Sequence, residues 1–103
     1  MPRLAMATVS LDATVILSKD AVFRDLDGEA VILDLHSGTY FGLNPVATRM
    51  WQLIAEHGQL KAVLDELCQE YDATPDLLER DLLDLVSRLA NAGLVTHGVA
   101  ESR

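Results

Sequence analysis

Cysteine, aromatic side chains and basic residues are all scarce in this chain. A single cysteine, Cys68, occurs in 103 residues, which excludes an intramolecular disulfide and any zinc site built on cysteine pairs. Aromatic residues make up 5% of the chain, so Leu, Val and Ala must carry the core. Eight Lys and Arg stand against sixteen Asp and Glu, a formal net charge of −8. A field of that sign repels phosphate backbones and anionic lipid, and so counts against nucleic-acid and membrane-surface partners. No stretch of 18 apolar residues runs without a charge, and no membrane span is predicted. The segment from Met1 to Leu17 lacks the pattern of a secretion signal, because Asp12 interrupts it and only Arg3 supplies early positive charge. With no export signal and no cysteine pair, the expected compartment is the cytoplasm.

Catalytic constellations are missing too. His36, His57 and His97 fall in three separate turns or element ends, with no i, i+4 pair to hold a metal. The glycines mark turns and helix ends and form no phosphate-binding loop. Asp and Glu are plentiful, but none falls in a recognisable acid–base motif. Cys68 lies on the apolar stripe of a predicted helix, where a thiol acts as a small buried hydrophobe and not as a nucleophile. The expectation is a protein without enzymatic activity, metal or cofactor.

What is present is the composition of a globular domain: half the residues are apolar and 23% are charged. The length suits one domain, read as residues 14–97 between an N-terminal tail (1–13) and a C-terminal tail (98–103). The pattern changes character near residue 44. Before it, Thr14 to Leu17 makes a short extended lead-in. Ala21–Leu26 and Glu29–Leu35 then flank Asp27-Gly28, a strong hairpin signal because those two residues tolerate the positive φ angles of the turn. His36-Ser37-Gly38 turns the chain again into Thr39–Leu43. The result is a three-stranded antiparallel meander whose last strand is an edge unless something covers it.

After residue 44 the spacing is helical. Asn44 caps a helix with Pro45 at its first position, Val46, Ala47, Met50, Trp51 and Ile54 form its apolar face, and Gly58 ends it. Trp51 there is read as a core anchor. Leu60, Val63, Leu64, Leu67, Cys68 and Tyr71 repeat at intervals of three and four in a second helix, which starts at the poor cap Gln59. The third helix begins at Thr74-Pro75, with Asp76 and Glu79 where the helix dipole favours negative charge. Leu78, Leu82, Leu85, Val86 and Leu89 make one face, widened by Leu77 and Leu83. Asn91-Ala92-Gly93 stops it, and Leu94-Val95-Thr96 suggests a short return strand. The fold class is therefore α+β, winged helix-turn-helix-like: a three-stranded antiparallel sheet followed by three helices.

In that order, Asp27-Gly28-Glu29, Val31–Leu35, Gly38–Asn44, the helix bearing Met50-Trp51 and the closing Leu89–Val95 resemble the PqqD family. Its members are also known as recognition elements for ribosomally made, post-translationally modified peptides. The resemblance spans roughly residues 20–96. It implies a winged-helix-like fold in which a leader peptide docks as a fourth strand beside the third. It also implies work alongside a peptide-modifying enzyme, such as a radical SAM protein or a leader peptidase. The Tyr40-Phe41 pair and Trp51 belong to the broad family pattern, which leaves the client peptide open.

The expected site follows from strand addition, in which main-chain bonds supply affinity and side-chain pockets supply choice. Thr39, Tyr40, Phe41, Gly42 and Leu43 form the candidate edge. The third helix, placed beside that edge as in the family, offers Leu78, Leu82 or Leu85 as a groove wall while Val86 and Leu89 enter the core. The alternative is that all these leucines are core. Asp81 and Arg88 are candidates for polar contacts at the rim. Alternation puts one ring of Tyr40 and Phe41 inward and the other outward, without saying which. Gly42 reads as a bulge, a point of close backbone approach, or a tolerated small residue. An unsatisfied edge can also pair with a second copy, which leaves a homodimer open.

The rival from another class is a winged-helix DNA-binding regulator. It needs a basic second or third helix, whereas Lys61, Arg80 and Arg88 there meet Asp65, Glu66, Glu70, Asp72, Asp76, Glu79, Asp81 and Asp84. Those acids read as a solvated face or as a surface for a basic enzyme. A carrier protein needs an Asp-Ser attachment site, and none of the five serines has that setting.

Overall fold

The computed structural model describes residues 9–27 and 29–99. Its elements run β1 (Ala13–Leu17), β2 (Ala21–Leu26), β3 (Glu29–Asp34), β4 (Tyr40–Leu43), α1 (Pro45–His57), α2 (Leu60–Glu70), α3 (Pro75–Asn91) and β5 (Val95–Val99). The α+β class and the meander stand as expected, with β2, β3 and β4 paired antiparallel in that order. Asp27 takes the turn at φ 66; its partner Gly28 lies outside the described residues.

A second sheet was not expected. The extended lead-in is a full strand, β1, and it pairs with the return strand β5 from Ala13↔Val99 to Leu17↔Val95. Leu94 extends the ladder by accepting the Ser18 amide at 2.9 Å. Val15 donates to the Gly58 carbonyl at 2.8 Å, tying β1 to the end of α1. The described part of the N-terminal stretch is correspondingly packed: Val9 and Ala13 are buried. Likewise Gly98 and Val99, placed in the C-terminal tail by sequence, belong to β5.

The helices form where their caps predict. The Asn44 side chain accepts the Ala47 amide at 2.8 Å, Gly58 closes α1 at φ 77, and Thr74 accepts the Leu77 amide at 3.3 Å. Gln59 makes no side-chain cap. One face of the three-stranded sheet packs on the helices, contributing Ala30, Ile32 and Leu43 to a core with Met50, Trp51, Leu53, Ile54, Leu67, Leu82 and Leu89. Trp51 is buried and stacks on Phe23 with centroids 6.2 Å apart, which fixes α1 on the sheet. Cys68 is half-buried against the core.

Candidate functional site

β4 is short because a turn and a helix cap bracket it. Asp34, buried at the end of β3, accepts from the His36 amide and the Ser37 hydroxyl, each at 3.0 Å. Gly38, at φ 78, donates its amide to the Asp34 carbonyl at 2.7 Å, while the Asp34 amide donates to Thr39 at 2.8 Å. Gly38 and Thr39 thus oppose Asp34 together, a glycine-type bulge.

That bulge sets the hydrogen-bond phase of β4. Bonded and non-bonded pairs alternate along an antiparallel ladder. Counting from Asp34 and Thr39, Ile32↔Phe41 and Ala30↔Leu43 are bonded pairs, and Leu33↔Tyr40 and Val31↔Gly42 are not. The amides and carbonyls of Tyr40 and Gly42 therefore point away from β3. Among the described residues no strand pairs with that side of β4.

The same register sorts the side chains. Phe41 and Leu43 share the helix-facing side with Ile32 and Ala30, while Tyr40 lies on the opposite face with Leu33 and is 76% exposed. Phe41 is the ring on the groove side. Gly42 is no bulge, since it opposes Val31 in register, and a Cβ there would meet nothing within 4 Å. The space beside it is open.

α3 supplies the facing wall. Arg88 lies with its guanidinium carbon 5.9 Å from the centre of the Phe41 ring, a cation–π contact joining helix and edge. Its Nε donates to Asp84 at 3.1 Å. Asp81, Asp84, Leu85 and Arg88 recur at i, i+3, i+4 and i+7, on one side of α3. They line a cavity of about 320 Å³ with Asn44, Val46, Ala47 and Met50 from the start of α1.

Of the sequence-proposed wall leucines, only Leu85 lines this cavity. Leu78 and Leu82 are buried in the core and take the alternative reading of that stripe. Val86 and Leu89 are core as expected. Asp81 and Arg88 both sit at the cavity, and Thr39 is exposed where the bulge leads into β4. The residues that sequence reasoning missed are Asn44, Val46, Ala47, Met50 and Asp84. A signal for them was available: Asn44 alone separates β4 from α1, so the first turn of that helix must lie beside the end of the edge strand.

Elsewhere, His36 and His57 are exposed and far apart in sequence. Among the described residues no three His, Cys, Asp or Glu side chains gather to hold a metal, and no helix is long and apolar enough to cross a membrane.

Residues 29–95 match the family model described as coenzyme PQQ synthesis protein D (PqqD). The chain belongs to the PqqD family. Two solved structures are similar to it. One is TbiB1 in complex with the TbiA(beta) leader peptide, 39% identical, with a TM-score of 0.74 over 82% of this chain and 98% of the other. The second is a lasso peptide synthetase B1 complexed with the leader peptide, 28% identical, with a TM-score of 0.72 over 81% and 98%. No curated protein matches.

Proposed function

We propose that this PqqD-family chain binds the leader of a ribosomally made precursor peptide as a fourth strand beside β4. It then presents that peptide to a modifying enzyme without catalysing a reaction itself. The observation that carries this reading is the outward-facing backbone of Tyr40 and Gly42 next to an open cavity. The two similar structures, each holding a leader peptide, support it.

Magnitudes show why edge and cavity are needed together. Two amides and two carbonyls on the edge allow four ladder bonds, worth roughly 2–6 kcal/mol at about 0.5–1.5 kcal/mol each. A micromolar complex needs about 8 kcal/mol after the cost of ordering a flexible leader. Side chains seated against Phe41 and in the cavity supply the remainder. The partner enzyme is of the class that acts on leader-bearing peptides, a leader peptidase or a radical SAM protein. Without peptide, the same edge is free to pair with a second copy of the chain.

The DNA-binding alternative gains nothing from the structure. On α3, the wall helix, Arg88 is engaged with Asp84 and Phe41, and Asp76, Glu79, Asp81 and Asp84 dominate its charge.

Titration of the ¹⁵N-labelled protein with the TbiA(beta) leader, and with the leader of a precursor encoded beside its own gene, tests the proposal. The Tyr40 and Gly42 amides should show the largest shifts and become protected from exchange. If both amides stay unmoved at millimolar peptide, the reading is wrong.

A further inference from the structure

The cavity beside β4 has an apolar floor and a charged rim, and its charges do not balance. Met50 and Leu85 are buried beneath it, and Val46 and Ala47 form the side nearest α1. Of the three ionic groups at the rim, Arg88 and Asp84 neutralise each other at 3.1 Å, and Arg88 is further held over Phe41. Asp81 makes no hydrogen bond or ion pair among the described residues and stands exposed one turn before Leu85. The cavity therefore keeps one uncompensated negative charge, in a molecule whose formal net charge is already −8.

We infer that Asp81 is a specificity-determining residue that selects leaders with a lysine or arginine at the position facing α3. This rests on the leader-binding reading above and sharpens it. An aliphatic stem can lie over Met50 and Leu85 while its cationic head stays at the wet rim beside Asp81, the posture long basic side chains adopt on mixed surfaces. An acidic guest side chain would meet Asp81 and the field of the whole protein, and would be rejected. An apolar guest would fill the floor and gain nothing from the rim. Along an added strand, side chains on one face recur every ~7 Å, so a cavity of about 320 Å³ reads one guest position, or two at most. The selectivity is thus local to one position and not a general taste for basic peptides.

The test is a lysine scan and a matching glutamate scan of the TbiA(beta) leader peptide. Binding is followed by fluorescence anisotropy to the wild-type protein and to its Asp81→Asn and Asp81→Lys variants. Asp81 is exposed, so both variants should keep the wild-type circular dichroism and melting temperature. In the wild type, one position should favour Lys over Glu by roughly threefold to tenfold, the range of an ion pair at a partly covered surface. Asp81→Asn should erase that preference, Asp81→Lys should invert it, and added salt should shrink it. A scan that binds but is flat, or a preference that survives Asp81→Asn, overturns this inference and leaves leader binding standing. Failure of every scanned peptide to bind any of the three proteins sinks both.

Discussion

At Gly38 the backbone sits at φ 78, and the bulge it forms with Thr39 decides which amides of β4 face β3 and which face out. This phase separates two substitutions that look equivalent in sequence. The Phe41 amide belongs to the ladder with Ile32, so Phe41→Pro would break the sheet's own bonding and remove no donor that a guest uses. The Gly42 amide points outward, and Phe41 before it is already extended, as a residue preceding proline must be. Gly42→Pro should therefore leave folding close to wild type, because proline is tolerated on an edge strand whose N–H side faces solvent. It should nevertheless weaken leader binding about tenfold or more, through one lost donor and the ring's obstruction of close approach. Urea denaturation and anisotropy on the same samples measure the two effects separately. A Gly42→Pro protein that is fully folded and binds like wild type would show that the guest does not use this edge. Sequence alone left the two rings of Tyr40 and Phe41 equivalent, because alternation has no origin until a turn sets one. The origin here is the Asp34–Thr39 bond, a product of the folded turn.

Among the elements, the helices were the most legible, since Asn44-Pro45 and Thr74-Pro75 write their starts and Gly58 and Gly93 their ends. How the helices fasten to one another was not. Arg49 on α1 reaches Glu70 at the end of α2 through two parallel bonds, Nε to Oε1 at 2.7 Å and Nη2 to Oε2 at 2.6 Å. The residues are 21 apart, and no local pattern announces the pair. Its consequence is a pH dependence of stability. The hydrogen bonds and charge of Arg49 hold the Glu70 carboxyl below its ordinary value, and Glu70 raises the Arg49 guanidinium in turn. A carboxylate whose folded-state pKa is depressed stabilises the fold at pH above its ordinary value, and that contribution fades as pH falls through the lowered one. Urea midpoints measured from pH 7 down to pH 3 should therefore fall less steeply for Glu70→Gln than for wild type. Since both side chains are partly solvated, the difference should also shrink in high salt. Parallel curves for the two proteins would remove the pair from the stability of α1 on α2.

For the molecule as a whole, the family match and the folded unit do not coincide. The match covers residues 29–95, which takes in β3, β4 and the three helices but omits β1, β2 and most of β5. Sequence reasoning found β2, through Asp27-Gly28, and left the pairing of β1 with β5 unseen. Two five-residue strands separated by nearly the whole chain carry no short-range signal, and each alone reads as a ragged end. Yet Val9, Ala13 and Val15 are buried on one side of the domain, and Phe23 of β2 covers Trp51 on another. A fragment of residues 29–95 would expose Trp51, leave the β3–β4 hairpin with an uncovered edge on each side, and strip β1 from the end of α1. Burial of each large apolar side chain is worth about 1.5–3 kcal/mol, against a total stability of roughly 5–15 kcal/mol for a domain. Loss of several such groups at once should leave the 29–95 fragment without a cooperative unfolding transition, whereas residues 9–99 should melt like the full chain. Differential scanning calorimetry and limited proteolysis of the two fragments decide this. Cooperative melting of 29–95 at the full-length temperature would show that β1, β2 and β5 are accessories to the peptide-binding unit. Incoherent loss of structure in 29–95 would instead fit the packing of β1 on α1 and of β5 on α3, the two helices that line the cavity.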